Sequence, residues 1–175
     1  DIPVFRPRYL RPTTEQRILK RCLDIVVALI ATICLIPVFV LVAIAIKLDS
    51  PGPVFFSQRR VGEQEKEFFI YKFRTMCLDA EKQSGPTLAT SNDPRITGVG
   101  RFIRATRIDE LPQLINVLIG NMSIVGPRPE RAFFVEKLKK ELTEYVHRSG
   151  VKPGITGMAQ VYGKYNTTPY NKLVY

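Results

Sequence analysis

The segment from Ile25 to Ile46 constrains the fold more than any other part of the chain, because it contains no charged residue. As an α-helix it would extend about 33 Å, which is long enough to cross the hydrocarbon core of a bilayer. Its length and the lack of a small-residue cleavage site after it argue against a signal peptide. The sequence therefore predicts a membrane helix joined to a more polar domain.

Basic residues flank this segment equally, so charge gives no preferred orientation to a helix that crosses the bilayer. Pro37 lies near the middle, where a proline removes a backbone hydrogen bond and kinks a helix. These two features favour a re-entrant helix that returns to the cytoplasmic face, and a kinked spanning helix is the alternative. The flanking basic residues are Arg6, Arg8, Arg11, Arg17, Lys20 and Arg21 before the segment, and Lys47, Arg59, Arg60, Lys66, Lys72 and Arg74 after it.

A second stretch, Arg104 to Pro129, places two adjacent carboxylates, Asp109 and Glu110, before apolar residues at helical spacing. The spacing predicts that a helix begins at the carboxylates, with Pro112 in its first turn, where the missing N–H costs little. A helix N-terminus attracts phosphate, although an acidic pair there is also a common cap. The apolar residues are Leu111, Leu114, Ile115 and Leu118.

Arginines around the acidic pair favour phosphate chemistry over a simple cap. Arg101, Arg104 and Arg107 precede the pair, and Arg128 follows it between two prolines. The prolines restrict the backbone around the Arg128 guanidinium, which suits bidentate recognition of phosphate. We interpret the whole stretch as part of a phosphate-binding site.

Strand-forming residues at Pro53–Arg60 and Glu67–Arg74 flank a turn around Gly62 and predict a β-hairpin. Alternation along the second strand puts Lys72 and Arg74 on one face. The two cations would present that face to a phosphate. A solvated strand face is the alternative interpretation.

Composition points to anionic partners and excludes several kinds of site. The 26 basic and 16 acidic residues give a net charge of +10, which favours anionic partners such as lipid headgroups, nucleotides or nucleic acid. Nucleic acid is disfavoured, because the sequence has no nucleic-acid-binding signature and contains a membrane segment. Cys22, Cys34 and Cys77 have neither disulfide nor metal-ligand spacing. His147 is the single histidine, which excludes a histidine-rich metal site, and no P-loop motif occurs. A carboxylate with a divalent cation is left as the reactive centre.

A series of motifs resembles those of the bacterial sugar transferases, and more narrowly the monotopic polyprenyl-phosphate phosphoglycosyl transferases. The resemblance covers nearly all of the chain from Lys20 onward. One position departs from it, since Ile36 precedes Pro37 where family members often carry serine. The matching motifs are Lys20-Arg21-Cys22-Leu23-Asp24, Gly52-Pro53-Val54-Phe55-Phe56, Tyr71-Lys72-Phe73-Arg74-Thr75-Met76, Asp109-Glu110-Leu111-Pro112-Gln113-Leu114, Asn116-Val117-Leu118, Met122-Ser123, Val125-Gly126-Pro127-Arg128-Pro129, Lys152-Pro153-Gly154-Ile155-Thr156-Gly157 and Ala159-Gln160-Val161.

The resemblance implies an α+β fold with an N-terminal re-entrant membrane helix, kinked at Pro37. A compact cytosolic domain would follow, with a small β-hairpin and several amphipathic or interfacial helices. The expected divisions are a juxtamembrane linker at residues 1–19, the re-entrant helix at 20–47 and the catalytic domain at 48–175. We also expect the chain to be the catalytic part of a larger, multi-span protein, in which a missing region would decide the oligomeric state, for instance a homodimer.

The resemblance also implies the chemistry. Sugar-1-phosphate would pass from a nucleoside diphosphate sugar, UDP-linked in our expectation, to a polyprenyl phosphate such as undecaprenyl phosphate, as the first step of surface glycan assembly. Asp109 would form a covalent aspartyl phosphosugar while UMP leaves, and Glu110 would position Mg²⁺ or assist the lipid phosphate. The expected location is the cytoplasmic face of the bacterial inner membrane, with phospholipid as a further partner. The expected Mg²⁺ ligands are Asp109 and Glu110, and the expected phosphate-binding residues are Arg128, Arg104, Lys72 and Arg74.

Two other functions fit part of the sequence. A basic membrane scaffold that binds anionic lipid would account for the charge and the apolar segment, but it gives no role to Asp109 beside Glu110. A carboxylate and Mg²⁺ phosphohydrolase would use the same residues and pass the phosphoryl group to water.

Overall fold

The computed structural model describes residues 13–78, 80, 93–141 and 143–161, so residues 1–12 of the expected linker lie outside the described part of the chain. The described elements mix helices with short strands, which confirms the predicted α+β class. Short stretches of 3-10 helix cover Glu63–Glu65, Ile108–Glu110 and Thr143–Gly150. The regular elements are α1 (Thr14–Asp49), β1 (Phe55–Val61), β2 (Glu67–Phe73), α2 (Gly98–Ala105), α3 (Gln113–Ile119), β3 (Ser123–Val125), α4 (Ala132–Glu141), β4 (Gly154–Thr156) and α5 (Met158–Val161).

Helix α1 contains the apolar segment and is 36 residues long. It begins at Thr14, before the expected residue 20, because Thr13 and Gln16 form a capping box. The Thr13 hydroxyl accepts a hydrogen bond from the Gln16 N–H at 3.3 Å, and the Gln16 side-chain oxygen accepts one from the Thr13 N–H at 3.0 Å. The helix is continuous through Pro37, so the break expected at that residue is not confirmed.

One face of α1 packs against the rest of the chain on both sides of Pro37. Before the proline, Ala28 is fully buried in a cluster with residues of β2 and α3. After it, Val42 and Ile46 are buried with Phe73 of β2 and with a residue of α2. Spacings of three and four residues keep this stripe on one side of the helix. Partly buried members of the stripe are Ala31, Leu35, Val38 and Phe39.

The opposite face of α1 is apolar and exposed over the length of the helix. The helix is long and apolar enough to cross a membrane, yet most of its surface is not buried against described residues. A continuous apolar surface of this kind requires lipid or another apolar partner to cover it. Exposed apolar residues of α1 include Leu19, Leu23, Val26, Leu29, Ile30, Ile33, Ile36, Val40, Leu41, Ile44 and Leu48.

A carboxylate near each end of the apolar segment ties α1 to the domain. The Asp24 carboxylate is buried and accepts hydrogen bonds from Lys20 Nζ at 2.7 Å and from the Ile124 N–H at 3.1 Å. The Asp49 carboxylate accepts one from the Val99 N–H, the second residue of α2, at 2.9 Å. Both ends of the apolar segment are therefore held by the same compact domain.

The predicted hairpin is present, with slightly different ends. Strands β1 and β2 pair antiparallel, from Phe55 opposite Phe73 to Val61 opposite Glu67. The fully buried Asn116 of α3 fixes β2 in place: its amide nitrogen donates to the Phe69 carbonyl at 2.6 Å. Its side-chain oxygen accepts a hydrogen bond from a backbone N–H of the same strand at 3.0 Å. This contact aligns β2 with the helix that follows the acidic pair.

Two glycines let the loop that carries Arg128 pass close to β4. Strands β3 and β4 are parallel, and Gly126 follows β3 directly. A Cβ atom on Gly126 would lie 2.4 Å from the Lys152 carbonyl oxygen, and one on Gly154 would lie 2.0 Å from the Gly126 nitrogen. Only glycine permits this approach, which fixes the backbone from which Arg128 projects.

We expect Asp24→Ala to lower the free energy of unfolding by about 2 kcal/mol, because it removes the acceptor of the Ile124 N–H and the buried partner of the half-exposed Lys20. Glu15→Ala is the control, since Glu15 is exposed in the first turn of the same helix. Denaturant unfolding in detergent micelles measures the difference. Equal stability of the two variants would contradict a role for Asp24 in holding α1 to the domain.

Candidate active site

The acidic pair lies in a 3-10 turn between α2 and α3. Asp109 and Glu110 are nearly buried, with 9% and 8% of their surfaces exposed. The expectation that they begin α3 is wrong, because that helix starts at Gln113 with Pro112 as its N-cap residue. Proline has no N–H to continue an α-helical ladder, and the Leu111 N–H bonds the Ile108 carbonyl in the tighter 3-10 pattern. The pair is therefore placed by a tight turn and not by the helix N-terminus.

Arg107 reverses the chain just before this turn. Its φ of 61° and ψ of 12° lie in the left-handed region, which is uncommon for a residue other than glycine, asparagine or aspartate. The Glu110 N–H bonds the Arg107 carbonyl at 3.1 Å, and this closes the turn. Strained residues of this kind occur where the surrounding structure holds a functional group in a fixed position.

Glu110 is held by two cations from distant parts of the chain. Arg128 Nη2 donates to Glu110 Oε1 at 2.6 Å, and Arg128 Nη1 donates to Oε2 at 3.2 Å. Lys72 Nζ, from strand β2, donates to Oε1 at 2.8 Å. The structure therefore brings three of the predicted site residues together, from the hairpin, the 3-10 turn and the loop after β3.

These contacts keep Glu110 ionised. Burial opposes its ionisation, but the hydrogen bonds from Arg128 and the charge of Lys72 outweigh burial and lower the pKa of Glu110 to about 2. Burial lowers the pKa of Lys72, although Glu110 opposes that shift. Burial acts in the same direction on Arg128, but the hydrogen bonds to Glu110 outweigh it and raise the pKa of Arg128. The result is a buried carboxylate in which each oxygen accepts at least one hydrogen bond.

Asp109 has the opposite environment. Among the described residues, no hydrogen bond or ion pair reaches its carboxylate. Burial raises the pKa of Asp109, the charge of Lys72 opposes this, and Glu110 adds to it. A desolvated carboxylate without hydrogen-bond donors is more basic and more nucleophilic than one held by two cations. The two adjacent acids are thus chemically distinct.

The other predicted site residues lie in different places. Arg104 is in the last turn of α2, and its positive charge acts on Asp109 without a direct contact in the described structure. Arg74 does not join Lys72 in the contacts with Glu110. Its guanidinium donates to the Ser50 carbonyl at 2.8 Å and to the carbonyl that follows it, at the end of α1. Pro37 lies within α1, far from the acidic pair in the sequence, and the described structure shows no hydrogen bond between the two.

The structure adds two residues that the sequence did not indicate. Arg60 of β1 and Gln113 of α3 line one cavity with Lys72 and Arg128. Burial lowers the pKa of Arg60 to about 10. In the sequence, Arg60 is one of several basic residues in the predicted hairpin, and Gln113 follows a proline in an apolar stretch, so neither pattern separates them from surface residues.

Comparison with known proteins identifies a family and several relatives to which this chain is similar. Residues 15–175 match the family model described as bacterial sugar transferase. An Aeromonas hydrophila protein named UDP-N-acetylgalactosamine-undecaprenyl-phosphate N-acetylgalactosaminephosphotransferase is 48% identical over 89% of this chain and 37% of its own length. An Escherichia coli K12 protein named UDP-glucose:undecaprenyl-phosphate glucose-1-phosphate transferase is 48% identical over 93% of this chain and 35% of its own length.

A shorter relative is similar to this chain to the same extent. A Bacillus subtilis protein named putative undecaprenyl-phosphate N-acetylgalactosaminyl 1-phosphate transferase is 49% identical over 79% of this chain and 76% of its own length. The chain therefore spans about a third of the two longer relatives and three quarters of the shorter one. The similarity includes the part of the sequence in which both carboxylates and their cations lie, since the family match begins at residue 15.

We expect Glu110 to make stability depend on pH in acid. Its pKa of about 2 in the folded protein lies below the ordinary 4.5, so its contribution is complete above pH 4.5 and is lost as the pH falls toward 2. That contribution is on the order of 3 kcal/mol. Unfolding measured across this range should show a steeper loss for the wild type than for Glu110→Gln.

Asp109→Asn is the matched control for that experiment. The raised pKa of Asp109 has the opposite sign, so protonation in acid stabilises the folded state and the variant should keep the acid-induced loss due to Glu110. Identical acid profiles for the wild type and Glu110→Gln would contradict the ion pair.

Proposed function

The chain belongs to the bacterial sugar transferase family, and on that premise we propose that it transfers a sugar-1-phosphate from a UDP-sugar to a polyprenyl phosphate. The reaction takes place at the cytoplasmic face of the bacterial inner membrane. It releases UMP and starts the assembly of a surface glycan such as an exopolysaccharide, O-antigen or capsule. The relatives' names, which specify UDP-sugars and undecaprenyl phosphate, support this choice of substrates.

The contrast between the two carboxylates is the observation that carries the mechanism. Asp109, which no described donor contacts, is the nucleophile. One of its oxygens attacks the phosphorus next to the sugar, the bond from that phosphorus to the bridging oxygen breaks, and UMP leaves with the electron pair. A phosphate oxygen of the polyprenyl phosphate then attacks the same phosphorus and returns Asp109 as a free carboxylate.

Positive charge lets an anionic nucleophile approach an anionic substrate. Lys72 and Arg128 are already placed within hydrogen-bond distance of Glu110, and Arg104 lies near enough to act on Asp109. We propose that Arg128 and Lys72 bind phosphate oxygens and that Glu110 holds both cations in position for this task. Arg104 contributes charge to the phosphate or lipid headgroup. Arg74, bonded to carbonyls at the end of α1, fixes the membrane helix to the hairpin.

The acidic pair also fits a Mg²⁺ ion. Mg²⁺ is usually held by one or two carboxylates together with substrate phosphate and water, and two adjacent carboxylates supply that kind of ligand. Asp109 and Glu110 are the ligands we propose, and the carboxylate oxygens of Asp109 are the freer of the two. Bound Mg²⁺ would neutralise charge on the substrate phosphates.

The packing of α1 supports a monotopic arrangement. Asp24 near one end of the apolar segment and Asp49 near the other both bond to the same domain. A helix that crossed the bilayer would place these two ends at opposite surfaces, where one domain could not contact both. We propose that in the membrane α1 bends at Pro37, where the helix lacks one backbone hydrogen bond, so that both ends remain on the cytoplasmic side and Pro37 lies deepest in one leaflet.

The covalent step predicts an adduct on Asp109. Purified protein incubated with Mg²⁺ and a panel of UDP-sugars, without acceptor lipid, should gain the mass of one sugar phosphate, and peptide mapping should place it on Asp109. Asp109→Asn should give no adduct. Glu110→Gln is expected to form it at least about a hundredfold more slowly, because Lys72 and Arg128 lose their shared partner.

Three controls separate the alternatives. Chelation of Mg²⁺ should prevent the adduct in the wild type. Release of free sugar phosphate without acceptor lipid would instead identify a phosphohydrolase. Absence of both adduct and nucleotide binding, with membrane association intact, would identify a non-catalytic scaffold.

The monotopic arrangement predicts that both ends of α1 face the same side. A single cysteine can be placed at Glu15, before the apolar segment, or kept at Cys77 after it, with the other cysteines changed to serine; both sites are exposed. A membrane-impermeant maleimide should label both variants from the cytoplasmic side of inverted vesicles and neither from the opposite side. Labelling from opposite sides would establish a spanning helix.

A further inference from the structure

The loop that carries Arg128 is held through its carbonyl groups. The prolines on both sides of Arg128 have no N–H, so neither can donate a backbone hydrogen bond. The Pro127 carbonyl accepts a hydrogen bond from the Gly154 N–H at 3.0 Å, and the Glu130 carbonyl accepts one from the Val61 N–H at 2.9 Å. Backbone groups of β4 and β1 therefore hold the loop before and after Arg128.

A side chain holds the carbonyl of Arg128 itself. Arg148, in the 3-10 helix Thr143–Gly150, donates from Nη2 to this carbonyl at 3.2 Å. The guanidinium of Arg128 bonds the Glu110 carboxylate at the same time. The two ends of one residue are therefore held by different partners, the guanidinium by Glu110 and the backbone by Arg148.

Tyr145 fixes the side chain of Arg148. Tyr145 is buried, with 4% of its surface exposed, and Cζ of Arg148 lies 5.4 Å from the centroid of its ring. Arg148 Nη1 also donates to the Tyr145 hydroxyl at 3.1 Å. One planar guanidinium thus bonds two acceptors at once and stacks on a ring, and a lysine ammonium cannot reproduce this fork-shaped arrangement. Arg148 is therefore a rigid link between the 3-10 helix and the Arg128 loop.

The position of the Arg128 backbone matters for its contact with Glu110. Arg128 donates to both oxygens of that carboxylate, and a contact of two bonds requires a defined distance and angle. A long side chain keeps such a geometry only when the groups that support it are themselves fixed. None of the hydrogen bonds described for Arg148 reaches the acidic pair, so Arg148 acts on the pair through Arg128.

We propose that Arg148 is a positioning residue, which fixes the backbone of Arg128 and so determines where the Arg128 guanidinium lies relative to the acidic pair. The bond to the Arg128 carbonyl and the two contacts with Tyr145 carry this proposal. Its consequence for the reaction rests on the function proposed above, because that consequence requires Arg128 to act on a substrate phosphate. The positioning itself rests on contacts within the folded chain and is testable without substrate.

Nitrogen-15 NMR spectra of the arginine side chains in the full chain, in detergent micelles, test the positioning directly. The Nε–H signal of Arg128 is identified by its loss in Arg128→Met. Arg148→Met removes both donors but keeps an unbranched side chain beside the tyrosine ring, and we expect it to shift or broaden the Arg128 signal. Lys140→Met removes the same charge at an exposed position of α4 and should leave the signal in place. An unchanged Arg128 signal in Arg148→Met would overturn the proposal.

Single-turnover formation of the sugar-phosphate adduct tests the consequence for the reaction. The amplitude counts folded, active molecules, whereas the rate constant reports the geometry of the site. Arg148→Met should lower the rate constant at least about tenfold at near wild-type amplitude, because small displacements of a positioned group are costly. Arg148→Lys keeps the charge without the paired bonds and should recover only part of the rate. A lower amplitude with an unchanged rate constant, or full recovery by lysine, would overturn the proposal.

A double substitution shows whether Arg148 acts through Arg128. In the Arg128→Met background, Arg148→Met should slow the reaction no further, because the group that it positions is absent. Independent losses that multiply would overturn the proposal. Wild-type protein that forms no adduct would contradict the proposed function alone, since the Arg128 signal still tests the positioning.

Discussion

The buried ion pair between Glu110 and Arg128, shared with Lys72, is the interaction on which the site depends. An ionised carboxylate is stable away from water only when it is paired and hydrogen-bonded. Here its partners come from β2 and from the loop after β3, so the charge cannot be satisfied unless the hairpin, the 3-10 turn and that loop meet. Asn116, which bonds β2, and the close contact of Gly126 with Gly154 bring these segments to the required positions. Removing either partner would leave a buried charge, which explains why the fold and the site are built around the same contact.

This arrangement gives adjacent residues different chemistry. Every hydrogen bond that the two cations give to an acid in the described structure goes to Glu110, and the neighbouring Asp109 keeps a desolvated carboxylate. The 3-10 turn contributes, because successive side chains in it point in different directions. One residue fixes the cations and the other is left free to react. A single carboxylate could not be both tightly neutralised and strongly nucleophilic.

Sequence patterns predicted the long apolar helix, the hairpin and three of the residues that meet in the Glu110 ion pair, because apolar runs, turn residues and a proline-flanked arginine are local signals. The start of α3 was misplaced because the pattern of apolar residues continues into the 3-10 turn, and only hydrogen bonds distinguish the two helix types. Arg74 looked equivalent to Lys72 by alternation, but its guanidinium donates to the carbonyls that follow α1, which come from a distant part of the sequence. Arg60 and Gln113 depend on contacts between distant segments, which no local pattern contains.

The apolar helix α1 is part of the domain core, and this links its position to the proposed reaction. Ile108, which directly precedes Asp109, packs against the cluster that Val42 and Ile46 of α1 form with Phe73 of β2 and a residue of α2. The proposed nucleophile, Asp109, is therefore one residue away from a side chain that packs on a cluster shared with α1. In the proposed reaction, a water-soluble nucleotide sugar would reach such a site from solution, while a polyprenyl phosphate would reach it only along the membrane surface. The cluster shared with α1 would then fix the height of the turn at that surface, so that the acceptor phosphate arrives in a defined position and the encounter becomes local.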